Sequence, residues 1–348
     1  MKFLYLINRI RNMSFSGMFS KIDDVNKKCN KPKWLIFLDM CWCGFRYGAG
    51  YMDYDVIGFY KLSAKSRKTM LTRGKNDRIV KKLNNRSYWH IFNNKNEFND
   101  YFKKYIKRDY IFPVSKDKEE IFKFISKYPI FFAKPNDGQC GKGIQKVDVS
   151  NLKKFFAENQ FGEKYNNSIH NLYDYLIENE IELLEQPIIQ HDVMNKLNPS
   201  SVNTCRVVTI MNDKDEVTIL ATFARIGNGR VVDNFNSGGM TAKVSVETGK
   251  ILEDAIDKEG KVYKIHPISK THIKDFQLPY FEEAKKMCIE AAKTSKNVRY
   301  VGWDVAFTKD GPCLVEGNQY PGHDIYQVAE KLERDSIGVW PQFKKALR

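Results

Sequence analysis

Apolar and polar residues alternate with two different periods along this chain, and the period changes where turn residues fall. Up to about residue 80 the apolar positions are spaced three and four apart and mixed with lysine and arginine, which predicts mainly helix. Ser63 is placed to cap the stretch LSAKSRKTML (62–71). Residues 85–107 fit one amphipathic helix. IFPVSKDKEEIFKFISKYPIFFAKP (111–135) predicts a strand, a helix capped by Ser115, and a strand ending at Lys134, with GIQKVDV (143–149) as the return strand. A helix around 171–180 leads to a strand in IELLEQPIIQ (181–190). Further strands follow at 205–211 and 217–227, then a helix at 280–295 and two β-rich runs at 301–308 and 312–318. Strands and helices mix with hairpins, so the pattern predicts an α+β fold and not a plain βαβ series.

The last two runs carry acids where a strand should be apolar. In LVEGNQYPGHD (314–324), strict alternation puts Leu314, Glu316 and Asn318 on one face. VGWDVAFTKDGPCLVEGN (301–318) reads as a hairpin joined by Lys309-Asp310-Gly311, with Asp304 opposite Glu316. Like charges directly opposite destabilise a strand pair, and a cation between them removes the penalty. Two carboxylates and an amide oxygen make a hard-oxygen set suited to Mg²⁺ on nucleotide phosphates. A solvated hairpin face is the alternative reading of the same three residues.

A second stretch, FFAKPNDGQCGKGIQKV (131–147), places Lys134 at a strand end before a turn containing Gly138, Gly141 and Gly143. It is neither a Walker A loop nor a GxGxxG turn. A glycine-rich hairpin still brings bare backbone N–H groups close to phosphate oxygens, and a lysine at its base adds fixed positive charge. A flexible hairpin with a solvated lysine is the plainer alternative.

Composition narrows the class. The 348 residues suffice for roughly two domains. No stretch approaches the ~20 apolar residues of a membrane span, and MKFLYLINRIRN does not read as a secretory signal. Seven scattered cysteines without CxxC spacing suggest reduced thiols and a cytoplasmic protein. No Ser-His-Asp, Cys-His or HExxH set is evident. Residues 1–110 hold 24 Lys and Arg against 9 Asp and Glu, so the whole net charge of +15 lies there. Such a region suits an acidic substrate or an anionic membrane surface. Without finger or RNP-like motifs, nucleic acid is not an expected partner.

Together the two motifs resemble the ATP-grasp superfamily, which holds ATP between two α+β subdomains. FFAKPNDGQCGKG resembles the lysine and loop of D-alanine–D-alanine ligases, which implies nucleotide contacts from Lys134, Asp137, Gly138, Gly141 and Gly143. VGWDVAFTKDGPCLVEGNQYPG resembles their metal strands, with Asp304, Glu316 and Asn318 in the matching places. LLEQPIIQ resembles the adenine hinge, so Glu185, Pro187 and Ile188 fall at the nucleotide, with His191 or Asp192 at the ribose. Arg86 stands where a first ATP lysine is expected. FARIGNGRVVDNFNSGGMTAKV (223–244) resembles the R…NxGG stretch of glutathione-synthetase-like and ribosomal-protein glutamate ligases, which puts Arg225, Asn236, Gly238 and Gly239 at the transferred phosphate.

Across most of residues 35–330 the chain looks like the sugar-transfer-associated ATP-grasp group. The resemblance implies three segments: a basic, mainly helical region (1–82), a lysine and Gly-loop subdomain (83–186), and a substrate-loop and metal-strand subdomain (187–348). It implies ATP and two Mg²⁺ ions, with Mn²⁺ as a substitute. The expected activity is an ADP-forming carboxylate–amine ligase working through an acyl phosphate. The expected substrates are an acidic sugar or nucleotide-sugar carboxylate and an amine or amino acid, in surface polysaccharide (capsule or O-antigen) synthesis. The expected place is the cytoplasm, peripherally at the inner membrane surface. Two rivals stand beside it: a kinase acting on a sugar or small-molecule hydroxyl, and a non-catalytic module docked through its basic N-terminus.

Overall fold

The computed structural model describes residues 14–113, 118–136, 143–229 and 238–348. The chain divides into two units, Met1–Leu83 with Pro321–Arg348, and Asn84–Tyr320. In the first unit the helical spacing of residues 15–47 folds as two helices, Phe15–Cys29 and Lys33–Tyr47. Ser14 caps the first by accepting from Gly17 N at 3.1 Å. Left-handed Asn30 (φ 51°) and Gly48 (φ 69°) terminate them. Met18, Ile22, Val25, Ile36, Met40 and Cys43 bury against Tyr54, Ile57 and Phe59. Ser63 caps the helix Ala64–Thr69 as its sequence predicts, accepting from Ser66 N at 3.3 Å. The C-terminal segment closes this unit: Ser63 N donates to Arg334 O at 2.8 Å, and buried Gln327 accepts from Leu71 N and Val339 N at 3.0 Å each.

In the second unit, the single helix expected over 85–107 is a series of short ones: Arg86–Tyr88 (3₁₀), His90–Asn93, Lys95–Tyr101 and Lys103–Ile106. Asn94 breaks the run by capping the next helix, accepting from Glu97 N at 2.9 Å, and left-handed Lys107 ends it. The first sheet comprises β1 (Tyr110–Ile111), β2 (Ile130–Pro135), β3 (Gln145–Asp148), β4 (Lys154–Asn159), β5 (Lys164–Ser168) and β6 (Ile181–Glu185). Its order is β1-β6-β2-β3-β4-β5, and every pairing is antiparallel. The helices Lys118–Lys127 and Leu172–Glu178 cover one face through Ile121, Phe124, Leu172 and Leu176.

The second sheet comprises β7 (Thr204–Met211), β8 (Val217–Ile226), β9 (Met240–Val244), β10 (Ala255–Asp257), β11 (Val262–Tyr263), β12 (Tyr300–Thr308) and β13 (Gly311–Asn318). Its order, β11-β10-β9-β8-β7-β12-β13, is again antiparallel. The helix Phe281–Thr294 covers one face, with Glu282 and Glu283 in its first turn and Lys293 in its last, as the helix dipole favours. Ala284, Cys288 and Ala291 meet Cys205, Val207, Ala224, Trp303 and Val305 there. The alternate residues of the same strands therefore face away from that helix, and the polar ones among them form the site.

Candidate functional site

Phe131 and Ala133 of β2 enter the helix-covered core, so Phe132 and Lys134 point to the other face. Glu185, at the end of β6, stands across from Phe132 and so on the side of Lys134. The two form an ion pair. Arg108 Nη2 donates to the same carboxylate at 2.8 Å and Asn99 Nδ2 at 2.7 Å. Burial alone would raise the carboxyl's pKa, but Arg108 and Lys134 overcome it and hold Glu185 well below the usual carboxylate range. Arg108 also donates to Leu314 O at 2.7 Å, so one guanidinium joins the lysine's counter-ion to β13. Gly143 is left-handed (φ 77°), and a Cβ there would lie 2.7 Å from Pro135 Cγ, so bare backbone packs beside Lys134. Asp137, Gly138 and Gly141 lie outside the described residues.

The hairpin of β12 and β13 places Asp304 opposite Glu316 and Gly302 opposite Asn318. The register arises differently from the sequence expectation. Thr308 pairs with Gly311, so the loop is Lys309-Asp310 alone, and a bulge then shifts the pairing between Asp304 and Val305. Val305 faces Leu314 while Asp304 faces Glu316, leaving Val315 as the extra residue. The bulge also overturns the expectation that Leu314 shares the acids' face: Leu314 is in the helix-covered core with Val305. Asp304, Glu316 and Asn318 do share the opposite face. Asn318 Oδ1 accepts from Tyr320 N at 2.9 Å, which fixes its orientation.

Across the same face Asp304 sits opposite Arg206 of β7, and Arg225 stands on β8 beyond it. Arg206 donates to both Asp304 oxygens, with Nη2 to Oδ2 at 2.8 Å, and Arg225 Nη1 also pairs with Oδ2. Burial opposes ionisation of both carboxyls. At Asp304 the two arginines win and lower the pKa to about 2. At Glu316, burial together with the negative charge of Asp304 pushes the pKa up to about 7. Glu316 remains open to solvent although protein crowds its other sides. The two carboxyls face each other across the strand pair, and Arg206 and Arg225 hold the charge on Asp304.

The remaining sequence candidates are more dispersed. Arg86 is exposed, its guanidinium 5.5 Å from the Trp89 ring centroid. Pro187 and Ile188 are half-buried in the segment after β6. His191 caps the helix Asp192–Leu197, its Nδ1 accepting from Val193 N at 3.1 Å, and its ring meets Tyr280 edge-on. Asp192 pairs with Lys309 at 3.1 Å. Gly238 (φ 90°) and Gly239 lead into β9. Asn236 lies outside the described residues.

The sequence matches the family described as sugar-transfer associated ATP-grasp over residues 74–334. The chain belongs to that family. The expected ATP-grasp fold, two antiparallel α+β subdomains preceded by a mainly helical region, is the fold it has. Among solved structures, the chain is similar to the ATP-grasp ligase PsnB complexed with minimal precursor, Mg and ADP (11% identity, TM-score 0.38, 76% of this chain and 60% of that one). It is also similar to D-alanine–D-alanine ligase from Bacillus anthracis (13%, 0.36, 67% and 58%) and D-cycloserine synthetase DcsG (13%, 0.38, 75% and 70%). The chain thus spans about 60% of the length of the first two. A search of curated proteins found no match.

Within this ATP-grasp chain, sequence reasoning passed over Arg108, Arg206 and Asn99. Arg206 had a readable signal, a charge at an alternate position in TCRVVTIM (204–211), whereas the 85–110 stretch offered no periodic frame for the other two. Among the described residues no three His, Cys, Asp or Glu side chains form a metal cluster on their own. The Asp304–Glu316 pair with the Asn318 amide nonetheless fits Mg²⁺, which binds through one or two carboxylates and takes its other ligands from phosphate and water.

Proposed function

We propose that the chain is an ATP-dependent ligase that joins a carboxylate to an amine through an acyl phosphate. The observation that supports this reading is the single sheet face on which Asp304, Glu316 and Asn318 stand beside Arg206 and Arg225. Acids beside arginines suit a transferring phosphoryl group, because both the cations that neutralise ATP and the groups that hold the new anhydride are then at hand. Mg²⁺ held by Asp304, Glu316 and Asn318 would supply charge neutralisation on the phosphate oxygens, two ions serving best and Mn²⁺ substituting.

Lys134 holds a phosphate of ATP, its ammonium fixed by Glu185, which Arg108 holds in turn. Pro187 and Ile188 border the adenine. A substrate carboxylate attacks the γ-phosphorus, and ADP leaves. Arg225, with the Gly238 and Gly239 amides, steadies the acyl phosphate until an amine displaces phosphate and forms the amide. The family's association with sugar transfer supports a uronic-acid-type acceptor, on a nucleotide sugar or a glycan, in surface polysaccharide synthesis.

The experiment is ³¹P NMR of the protein with Mg-ATP, a uronic-acid nucleotide sugar and a pool of amines and amino acids. ADP and free phosphate that depend on both acid and amine are the expected result. A new phosphate-ester resonance without free phosphate would overturn the ligase reading and make the chain a kinase.

A further inference from the structure

The helix Lys33–Tyr47 is apolar around nearly its whole circumference, and only half of that surface is covered. Ile36, Met40, Cys43 and Tyr47, at spacings of four, three and four, are buried in the first unit's core. The opposite side carries Trp34 (63% exposed), Leu38 (54%), Trp42 (54%) and Phe45 (70%), with Leu35 and Cys41 beside them. None of those six is charged. Its one acid, Asp39, turns away from this side to pair with Arg67 and accept from Tyr54 Oη at 2.7 Å. The neighbouring helix adds exposed Phe15 and Phe19. Isolated exposed apolar residues need no explanation, but a row of this size with two tryptophans does.

Charge decides what covers it. The unit carrying this helix, residues 1–83 and 321–348, holds 23 Lys and Arg against 10 Asp and Glu, or +13 of the chain's +15. Lys27 and Arg46, in the last turns of the two helices, are exposed. A second copy would bring the same strong positive charge against itself, which opposes a face-to-face dimer. An anionic bilayer satisfies both features: tryptophan and phenylalanine enter the headgroup region while basic groups meet lipid phosphates. No helix among the described residues is long and apolar enough to cross a membrane, so the contact is with the surface.

We propose that the outer face of Lys33–Tyr47, led by Trp34, Trp42 and Phe45, docks this protein on an anionic membrane surface. The test is co-sedimentation of the full chain with phosphatidylcholine vesicles and with vesicles containing about 30% phosphatidylglycerol. Binding only to the anionic vesicles, weakened roughly tenfold or more in a Trp34→Ser, Trp42→Ser, Phe45→Ser variant, is the expected result. Tryptophan quenching by brominated acyl chains in the unaltered chain supplies a readout that does not depend on the variant's folding. Absence of quenching overturns the proposal, as does failure to bind either vesicle. Undiminished binding by the variant would assign the contact to charge alone. A dimer that the variant converts to monomer would assign the face to a second copy, and each of these overturns the proposal.

Discussion

Arg108 and Glu185 form an ion pair at 2.8 Å whose side chains are only 3% and 4% exposed. The same guanidinium binds Leu314 O, so it joins the β6 end of the first sheet to the bulged strand that carries Glu316. Replacing Arg108 by Met removes one partner of a buried carboxylate and leaves a strand carbonyl unpaired. Loss of a buried partner costs ~3 kcal/mol or more, read as a lower urea midpoint. Arg108→Lys restores the charge but not the fork that reaches Glu185 and Leu314 together, so it recovers less than half of the loss.

The same carboxylate gives a pH dependence of known sign. Arg108 and Lys134, prevailing over burial, keep Glu185 ionised below the usual carboxylate range, so its pKa is lower folded than unfolded. Its stabilisation is therefore complete above the unfolded pKa and is lost as pH falls toward the folded one. Urea unfolding of wild type and Glu185→Gln should differ by a constant amount above about pH 5, and the gap should shrink steadily below it. A gap that grows on acidification would contradict the ion-pair assignment.

Gly317 explains why the motif reads Glu-Gly-Asn. It pairs with Trp303, and a Cβ at Gly317 would lie 2.8 Å from Phe98 and 3.0 Å from Phe92. Those rings belong to a packed aromatic group with Phe102 and Trp303, which leaves no room to shift. Gly317→Ala should lower stability by ~1–3 kcal/mol and displace the strand between Glu316 and Asn318. Thermal unfolding checks the first effect, and a fall in turnover beyond that of a remote variant of equal stability checks the second.

Much of this arrangement was legible beforehand, and the gaps have physical causes. The long strands Thr204–Met211 and Val217–Ile226 announce themselves as apolar runs, and Asp304 and Glu316 stand out because they interrupt such runs. The bulge was invisible, since no residue type marks it, and strict alternation misplaced Leu314 as a result. β4 and β5 were missed because KFFAEN offers only Phe155 and Ala157 to the core, and KYNNS, the edge strand, buries none of its residues. Arg108 went unnoticed because its role depends on Glu185 and Leu314, 77 and 206 residues further along. Spacing rules hold only within one element.

Glu316→Gln separates the site's chemistry from its fold. Glu316 is open to solvent and faces the negative Asp304, so neutralising it should leave thermal stability unchanged or raise it slightly at about pH 8. ADP formation in Mg-ATP should fall roughly a hundredfold, because the carboxylate charge that would hold Mg²⁺ in the proposed site is lost. Near-normal turnover would remove Glu316 from the metal site.

Lys134 and Arg225 lie on different sheets and should fail in different ways. Lys134 has Glu185 as its fixed partner, so Lys134→Met takes a cation from the proposed nucleotide site and leaves the buried carboxylate with only Arg108 and Asn99. ATP affinity should drop roughly tenfold or more, together with a lower urea midpoint. Arg225 shares Asp304 with Arg206, so Arg225→Ala leaves that carboxylate with a two-point partner. Stability and ATP affinity should stay near wild type, while turnover falls on the order of a hundredfold through loss of a charge proposed to act on the transferring group. Measuring ATP binding by calorimetry and turnover by ADP release on both variants checks the split. If Arg225→Ala weakened ATP binding as much as Lys134→Met while leaving turnover at saturating ATP intact, the arginine would belong to nucleotide binding, and the acyl-phosphate role would pass to Arg206.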